Sequence, residues 1–276
     1  MTPVTSPQSP LFSVVIPCFN AVNTVRRALE SCFLQSERSV EILLVDDASS
    51  DATPALLAEL AAAAPADMQV HVHCLQNNGG PARARNFGWD RATGRYLAFL
   101  DADDCWDPDK LANIREYLQH NPETLLLGHP HRQLGETRPE PEPARVRLMS
   151  YWQLLLRNIA QTSCIVVARA VTLRFDTDMR YTEDHDLWLR LTRQQAAVCL
   201  DGLTLTQLGR PQMSPGGLSG RRWAMRKGEL HMYIKASRQD VRLLVMLPGL
   251  LAFSLLKHLW SLRTQVRSWR ATGATT

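Results

Sequence analysis

Apolar and polar positions follow two different periods along the first half of the chain. Short apolar runs at Phe12–Pro17, Val40–Asp46, Val70–Leu75 and Tyr96–Leu100 predict buried strands. Between them, apolar residues at helical spacing predict helices over about 23–35, 52–64 and 81–92. Asp46-Asp47-Ala48-Ser49-Ser50-Asp51 supplies a turn and capping oxygens ahead of the second helix. Asn77-Asn78-Gly79-Gly80 turns into the third, and Gly94 closes it. Strands alternating with helices predict βαβ units, an α/β fold and a mostly parallel sheet flanked by helices. Ligands of such sheets bind beyond the carboxyl ends of the strands.

The pattern breaks after Gly128. Residues 129–147 are polar and rich in Pro and Glu, which predicts an exposed connection. A helix is expected over Met149–Asn158 and a strand over Ser163–Ala168. Leu187, Trp188 and Leu191 then fall at helical spacing, with Glu183, Asp184 and Asp186 at that helix's start. Glu183 or Asp184 suits an N-cap, and Asp186 supports the helix N-terminus. Trp188 is read as core, and His185 as a surface position or a contact to substrate. His129 and His131 flank Pro130 within the connection and carry no assigned role. Gln212–Gly220 is Gly-rich and reads either as a linker or as a loop that closes over a ligand. Arg222–Lys235 predicts a basic helix. Leu243–Leu256 carries no charge, but it is too short, and at Pro248-Gly249 too broken, for a membrane span of about 20 residues.

With 276 residues, 45% hydrophobic and 21% charged, the chain suits one large globular domain with an extension. The boundaries predicted are a tail over 1–10, a main domain over 11–210 divided at 128/129, and an extension over 211–276. The N-terminus has no basic segment followed by an apolar one, so no secretory signal is expected. Six scattered cysteines without a CxxC pair point to reduced thiols and away from zinc. Charge is split unevenly. Arg221–Thr276 holds 11 Lys/Arg against 2 Asp/Glu, a net of +9, so the first 220 residues carry a net of −5. Lys257, Arg263, Arg267 and Arg270 follow the apolar run with no acid among them. An apolar stretch beside cations fits peripheral association with an anionic cytoplasmic leaflet. Without aromatics interleaved on a strand platform, the basic tail does not fit nucleic acid. A P-loop and a GxGxxG after the first strand are both absent, which disfavours the usual phosphate cradles.

Asp101, Asp103 and Asp104 follow the apolar run Tyr96–Leu100 directly. Carboxylates this close repel, and each raises its neighbour's pKa unless a cation neutralises it. Hard oxygens presented together suit Mg²⁺ or Mn²⁺ completed by phosphate oxygens. The same residues, with Asp107 and Asp109, also fit the solvated start of a helix. Their place at a strand's carboxyl end, with Asp46 and Asp47 at another, favours the metal.

Four segments in order, SVVIPCFNAVNTVRRAL, EILLVDDASSDAT, NNGGPARARNFGWDRATGRYLAFLDADDCWDPDKL and TEDHDLWLRL, resemble the family 2 glycosyltransferases of the GT-A fold. They cover most of residues 12–193. The resemblance implies a Rossmann-like mixed sheet and a donor that is a UDP, GDP or dTDP sugar. It implies inverting transfer to a hydroxyl of a cell-envelope glycan, a lipopolysaccharide or a lipid-linked acceptor. A cytoplasmic site at the inner face of the plasma membrane follows from it together with the basic tail. By the same resemblance Asp101 and Asp103 hold a divalent cation, Mn²⁺ or Mg²⁺, with Asp104 an adjacent alternative. Asp47 contacts the nucleobase, while Pro17, Phe19, Asn20 and Ala102 line the nucleotide pocket. Arg83 and Arg85 lie near the phosphates, and Asp184 is the catalytic base. A nucleotidyltransferase would be expected to carry a Gly/Arg/Lys-rich loop after Pro17. A non-catalytic relative would be expected to lose either the D-x-D or the Glu183-Asp184 pair, and both are present.

Overall fold

The computed structural model describes residues 9–140, 142–158, 161–211 and 220–272, by backbone alone from residue 260 onward. The described residues divide into two compact units. One is the chain up to Asp178 with Asp184–Pro211; the other is Met179–Glu183 with the segment after Pro211.

In the first unit, strands β1 (Phe12–Cys18), β2 (Val40–Asp46), β3 (Gln69–Cys74) and β4 (Tyr96–Phe99) run parallel in the order β3-β2-β1-β4. Phe12 stands opposite Val40 on one side and Tyr96 on the other. Helices α1 (Val25–Phe33), α2 (Thr53–Ala62) and α3 (Pro81–Arg91) connect them. Chain order reverses at β1, which places a crevice at the carboxyl ends of β1 and β4.

Next come β5 (Cys105–Trp106), α4 (Lys110–His120), β6 (Leu126–Gly128), β7 (His131–Gln133), β8 (Arg145–Met149) and α5 (Tyr151–Leu156). A 3₁₀ turn at Thr162–Cys164 precedes β9 (Val166–Ala168), α6 (Glu183–Thr192), β10 (Ala197–Asp201) and β11 (Thr206–Leu208). β9 runs antiparallel between β4 and β6, and β10 and β8 extend the sheet to eight strands. A small second sheet has the order β5-β11-β7.

Strand residues alternate between two buried faces. Phe12, Val14 and Ile16 share one core with Val25, Ala28, Leu29 and Cys32 of α1 and with Leu111 and Ile114 of α4. The α1 residues fall at i, i+3, i+4 and i+7, the stripe that makes this segment a helix against the sheet. Across the other face, the Phe99 ring meets Phe175, Trp89 and Trp188 at centroid distances from 5.3 to 6.4 Å. Each fully buried aliphatic or aromatic side chain contributes about 1.5–3 kcal/mol.

Several expectations are corrected. The segment 129–147 is not a plain connection, since it contains β7 and the edge strand β8. The helix expected from Met149 begins at Tyr151, fixed by a capping box in which Ser150 and Gln153 bond each other's backbone amides. The strand expected from Ser163 begins at Val166, because Thr162–Cys164 closes a 3₁₀ turn first. Five of the six cysteines are buried thiols, and Cys74 is exposed. In the second unit, α7 (Arg222–Ser237) is followed by α8 (Val241–Thr272), which runs unbroken through Pro248. Val241–Leu259 is therefore long and apolar enough to cross a membrane by length and composition, with a mean hydropathy of 1.5.

Gly94 does not close α3 in a left-handed conformation. Ala92 leaves the helix extended, and a Cβ on Gly94 would stand 2.7 Å from the backbone of Phe12 and Ser13. Its amide donates at 3.1 Å to Glu41, a carboxylate buried in β2. The same Oε1 accepts from Ser13 Oγ at 2.5 Å, Thr93 N at 2.6 Å and Thr93 Oγ1 at 2.9 Å. Burial pushes the Glu41 pKa up, but these donors outweigh it and hold it below its usual value. A depressed carboxylate stabilises the fold above its unfolded pKa of about 4.3, and that contribution is lost as pH falls through the folded value. Glu41→Gln should cost about 1–3 kcal/mol at neutral pH and flatten the decline in urea midpoint below about pH 4. A variant whose acid decline runs parallel to that of the wild type contradicts this.

Candidate active site

The crevice is floored by the exits of β1, β2 and β4. At the β1 exit, Asn20 adopts a left-handed φ of 49°. Its Oδ1 accepts from Ser50 N at 2.9 Å while its amide donates to Ser49 Oγ at 2.9 Å, which ties β1 to the turn after β2. Pro17 lies within β1 opposite Val45, and the ring of Phe19 is half exposed.

Asp46 and Asp47 do separate work. Asp46 accepts from Ser49 N at 3.0 Å and closes the β2 turn. Asp47 is buried and accepts from Gly79 N at 2.9 Å and Gly80 N at 2.7 Å, which fixes the turn that opens α3. Gly80 needs its φ of 83° there. Burial raises the Asp47 pKa against the opposing pull of the two amides and Arg83. Arg83 is exposed, and its Nη1 donates to Asn77 O at 3.3 Å. Arg85 is buried instead, with Nη2 on Asp101 Oδ1 at 2.6 Å.

β4 delivers Asp101, Ala102, Asp103 and Asp104 into a turn closed by Asp104 N donating to Asp101 O at 3.0 Å. Ala102 packs into the core. Asp103 keeps a partly exposed carboxylate, 3.3 Å from Arg210 Nε, and its carbonyl accepts from Arg27 Nη2 at 2.6 Å. Burial and then Asp101 raise the Asp103 pKa. Asp104 is buried and no helix cap, since α4 begins at Lys110. Its Oδ2 accepts from Ser163 Oγ at 2.5 Å and its Oδ1 from Gly209 N at 2.9 Å. Burial, then Asp101, pushes the Asp104 pKa up to about 7. Gly209 is obligatory, because a Cβ there would stand 1.8 Å from Asp103 O.

Sequence reasoning missed Ser163. Its Oγ accepts from Asp101 N at 3.0 Å while donating to Asp104. Its carbonyl accepts from Lys110 Nζ at 2.6 Å, Trp106 Nε1 at 2.9 Å and Thr206 Oγ1 at 3.1 Å. Lys110 is fully buried, 3.7 Å from the Trp106 ring centroid, and burial lowers its pKa to about 7. The neighbouring Thr162 Oγ1 lies 3.4 Å from Asp184 Oδ2, which also accepts from Asn158 Nδ2 at 3.1 Å. One short turn thus touches both the D-x-D and Asp184.

Other sequence assignments move. His185 is buried, not a surface residue, and its Nε2 pairs with Leu154 O at 2.5 Å. Asp186 is buried in the first turn of α6, at the helix N-terminus as expected, and it also pairs with Arg190 at 2.8 Å. Trp188 lies in the core, as expected. His129 is buried with Nδ1 paired to Pro130 O at 2.7 Å, and burial holds its pKa well below the usual value. Residues 212–219 of the Gly-rich segment lie outside the described residues. A groove of about 700 Å³ lined by Asp109, Tyr117, His120, Arg138 and Val146 holds none of the candidate catalytic, nucleotide or metal residues.

Among the described residues, no group of three or more His, Cys, Asp and Glu is placed to hold a metal alone. The D-x-D fits a weaker demand. Two hard carboxylates side by side suit an ion that takes its remaining ligands from water and phosphate oxygens.

Solved structures share this architecture. The mannosyltransferase PcManGT from Pyrobaculum calidifontis, in complex with GDP-Man and Mn²⁺, superposes with a TM-score of 0.68 at 19% identity, covering 97% of this chain and 80% of that one. S. aureus TarS 1-349 in complex with UDP-GlcNAc gives 0.64 at 17%, covering 90% and 72%. At such identities the likeness establishes the GT-A fold. By sequence, the chain is 40% identical over 116 residues to the succinoglycan biosynthesis protein ExoO of Rhizobium meliloti, covering 42% of this chain and 32% of that protein. It is 40% identical over 109 residues to the putative teichuronic acid biosynthesis glycosyltransferase TuaG of Bacillus subtilis, covering 40% and 42%. The chain therefore spans less than half the length of these two relatives. The profile of glycosyl transferase family 2 matches residues 13–182, more than half of the sequence and ending just before Glu183-Asp184. This chain belongs to glycosyl transferase family 2.

Proposed function

We propose that the protein is an inverting glycosyltransferase that moves a sugar from a nucleoside diphosphate to a hydroxyl of a cell-envelope glycan or lipid-linked acceptor. The observation that carries this reading is the 3₁₀ turn at Thr162–Cys164. Through Ser163 it holds the acidic turn after β4, and through Thr162 it reaches Asp184. The solved GT-A structures with UDP-GlcNAc and with GDP-Man support a nucleotide-sugar donor. The names of the succinoglycan and teichuronic acid relatives support an envelope acceptor. The basic C-terminal segment supports a location at the inner face of the plasma membrane.

A divalent cation, Mn²⁺ or Mg²⁺, on Asp101 and Asp103 would supply Lewis-acid neutralisation of the leaving diphosphate. Arg85 orients Asp101, and Arg27 and Arg210 add positive charge around Asp103. Phe19 offers an exposed ring to the nucleobase beside Pro17 and Asn20. Asp47 shapes the pocket through the Gly79-Gly80 turn, and Arg83 stands exposed in the first turn of α3. Asn158 and Thr162 orient the Asp184 carboxylate. Asp184 takes the acceptor proton as the hydroxyl oxygen bonds to the anomeric carbon. The bond from that carbon to the phosphate oxygen breaks, and its electron pair leaves with the diphosphate. A single displacement of this kind inverts the anomeric configuration.

Asp184→Asn should lower turnover by about 10²–10⁴-fold with nucleotide-sugar affinity retained. Unchanged turnover removes Asp184 as the base. Asp103→Ala should weaken nucleotide binding in Mn²⁺ and leave binding in chelator unchanged. Equal wild-type affinity in the two conditions contradicts the metal role.

A further inference from the structure

The second unit presents a surface for which the transfer reaction has no use. Helix α8 buries Leu243, Leu250 and Ser254 on one narrow stripe. Leu247 and Leu251 are partly covered, while Leu244, Val245, Met246, Phe253, Leu255 and Leu256 are exposed, Val245 at 78% and Leu256 at 63%. No charged residue lies between Arg242 and Lys257. Exposed apolar surface of this extent marks an interaction site.

A buried polar network locks α8 to α7. Glu229 of α7 accepts from Ser254 Oγ at 2.9 Å and from Tyr233 OH at 3.1 Å, and it pairs with both Arg226 and Lys257. Arg226 Nη1 also reaches Ser254 Oγ at 3.0 Å. Lys257, which lies within the apolar window Val241–Leu259, therefore has its counter-ion on the other helix. If α8 crossed a bilayer alone, Lys257 would lose Glu229; if α7 followed it, Glu229 and Arg226 would enter hydrocarbon as well. Both are costly. The hairpin is thus suited to lie on a bilayer rather than to thread it.

Charge selects the occupant. Arg221, Lys227, Arg238 and Arg242 are exposed on the two helices, and the sequence adds Arg263, Arg267 and Arg270. Glu229 is buried and neutralised, so Asp240 is the remaining acid of Arg221–Thr276. A second copy of this surface would bring like charges together. An anionic lipid surface complements the cations and takes up the apolar side chains at once.

We propose that the α7–α8 hairpin is a docking surface for an anionic bilayer. Helix α8 lies in the plane of the headgroups, with its outward apolar side chains in the acyl boundary. This rests on the membrane location proposed above and adds to it the docking residues, the Glu229 lock that keeps α8 from spanning, and the depth. Flotation of the full chain with phosphatidylcholine vesicles, with and without phosphatidylglycerol at roughly 3:1, tests it. Binding is expected with the phosphatidylglycerol mixture only, reversed by raised salt and by alkaline carbonate. Leu244→Glu with Leu256→Glu should weaken it about tenfold or more at an unchanged thermal midpoint. Should that variant fold poorly, Arg238→Gln with Arg242→Gln must weaken binding to the anionic vesicles. Equal flotation on neutral vesicles, or resistance to carbonate, overturns the anionic interface and keeps the membrane location. Absence of flotation on both vesicles, whether or not the protein dimerises, overturns the two together.

Discussion

Three carboxylates within four residues would repel one another and force their strand end open unless each had a fixed partner. Ser163 supplies the central constraint. Its hydroxyl sits between the Asp101 amide and the Asp104 carboxylate, and its carbonyl collects Lys110, Trp106 and Thr206. A buried carbonyl accepting three donors fixes the backbone of the turn far more firmly than a loop bond would. The preceding residue reaches Asp184, so the two ends of the proposed reaction are positioned by adjacent residues.

Charge around this turn is balanced in layers. Arg85 offsets Asp101, Arg210 and Arg27 stand at Asp103, and the buried Asp104 depends on Ser163 and the Gly209 amide. Burial first, and the charge of Asp101 after it, raises the pKa values of Asp103 and Asp104. A carboxylate so burdened gains from a cation, which is the physical reason behind the cation proposed at Asp101 and Asp103. Asp47, by contrast, acts on the protein's own backbone, and through the Gly79-Gly80 turn it sets where α3 begins.

Much of the first half was legible in the chain because β1, β2 and β4 are buried on both faces and read as largely apolar runs, with only Ser13 and Glu41 as polar interruptions before the strand ends. The D-x-D stood out by its position at such a run's end, whereas Asp184 was singled out as a base only through the family resemblance, its place before a helical stripe reading equally as a cap. Ser163, Arg27 and Gly209 were not, since they reach the acidic turn across 59, 76 and 105 residues of sequence. Tertiary contacts at that separation leave no periodicity to read. The edge strand β8 carries the alternation Arg-Val-Arg-Leu-Met, but the Pro and Glu residues before it obscured the signal. Pro248 misled in the other direction, because packing of α8 on α7 outweighs the loss of one helix hydrogen bond.

The measurement that bears most directly on the Ser163 turn is nucleotide affinity of Ser163→Ala, titrated calorimetrically in Mn²⁺ and again in chelator. If the turn holds the acidic residues in place, affinity in Mn²⁺ falls by about tenfold or more, the equivalent of about 1.4 kcal/mol, while affinity in chelator stays near that of the wild type. Wild-type affinity in Mn²⁺ would contradict the central role given to this residue.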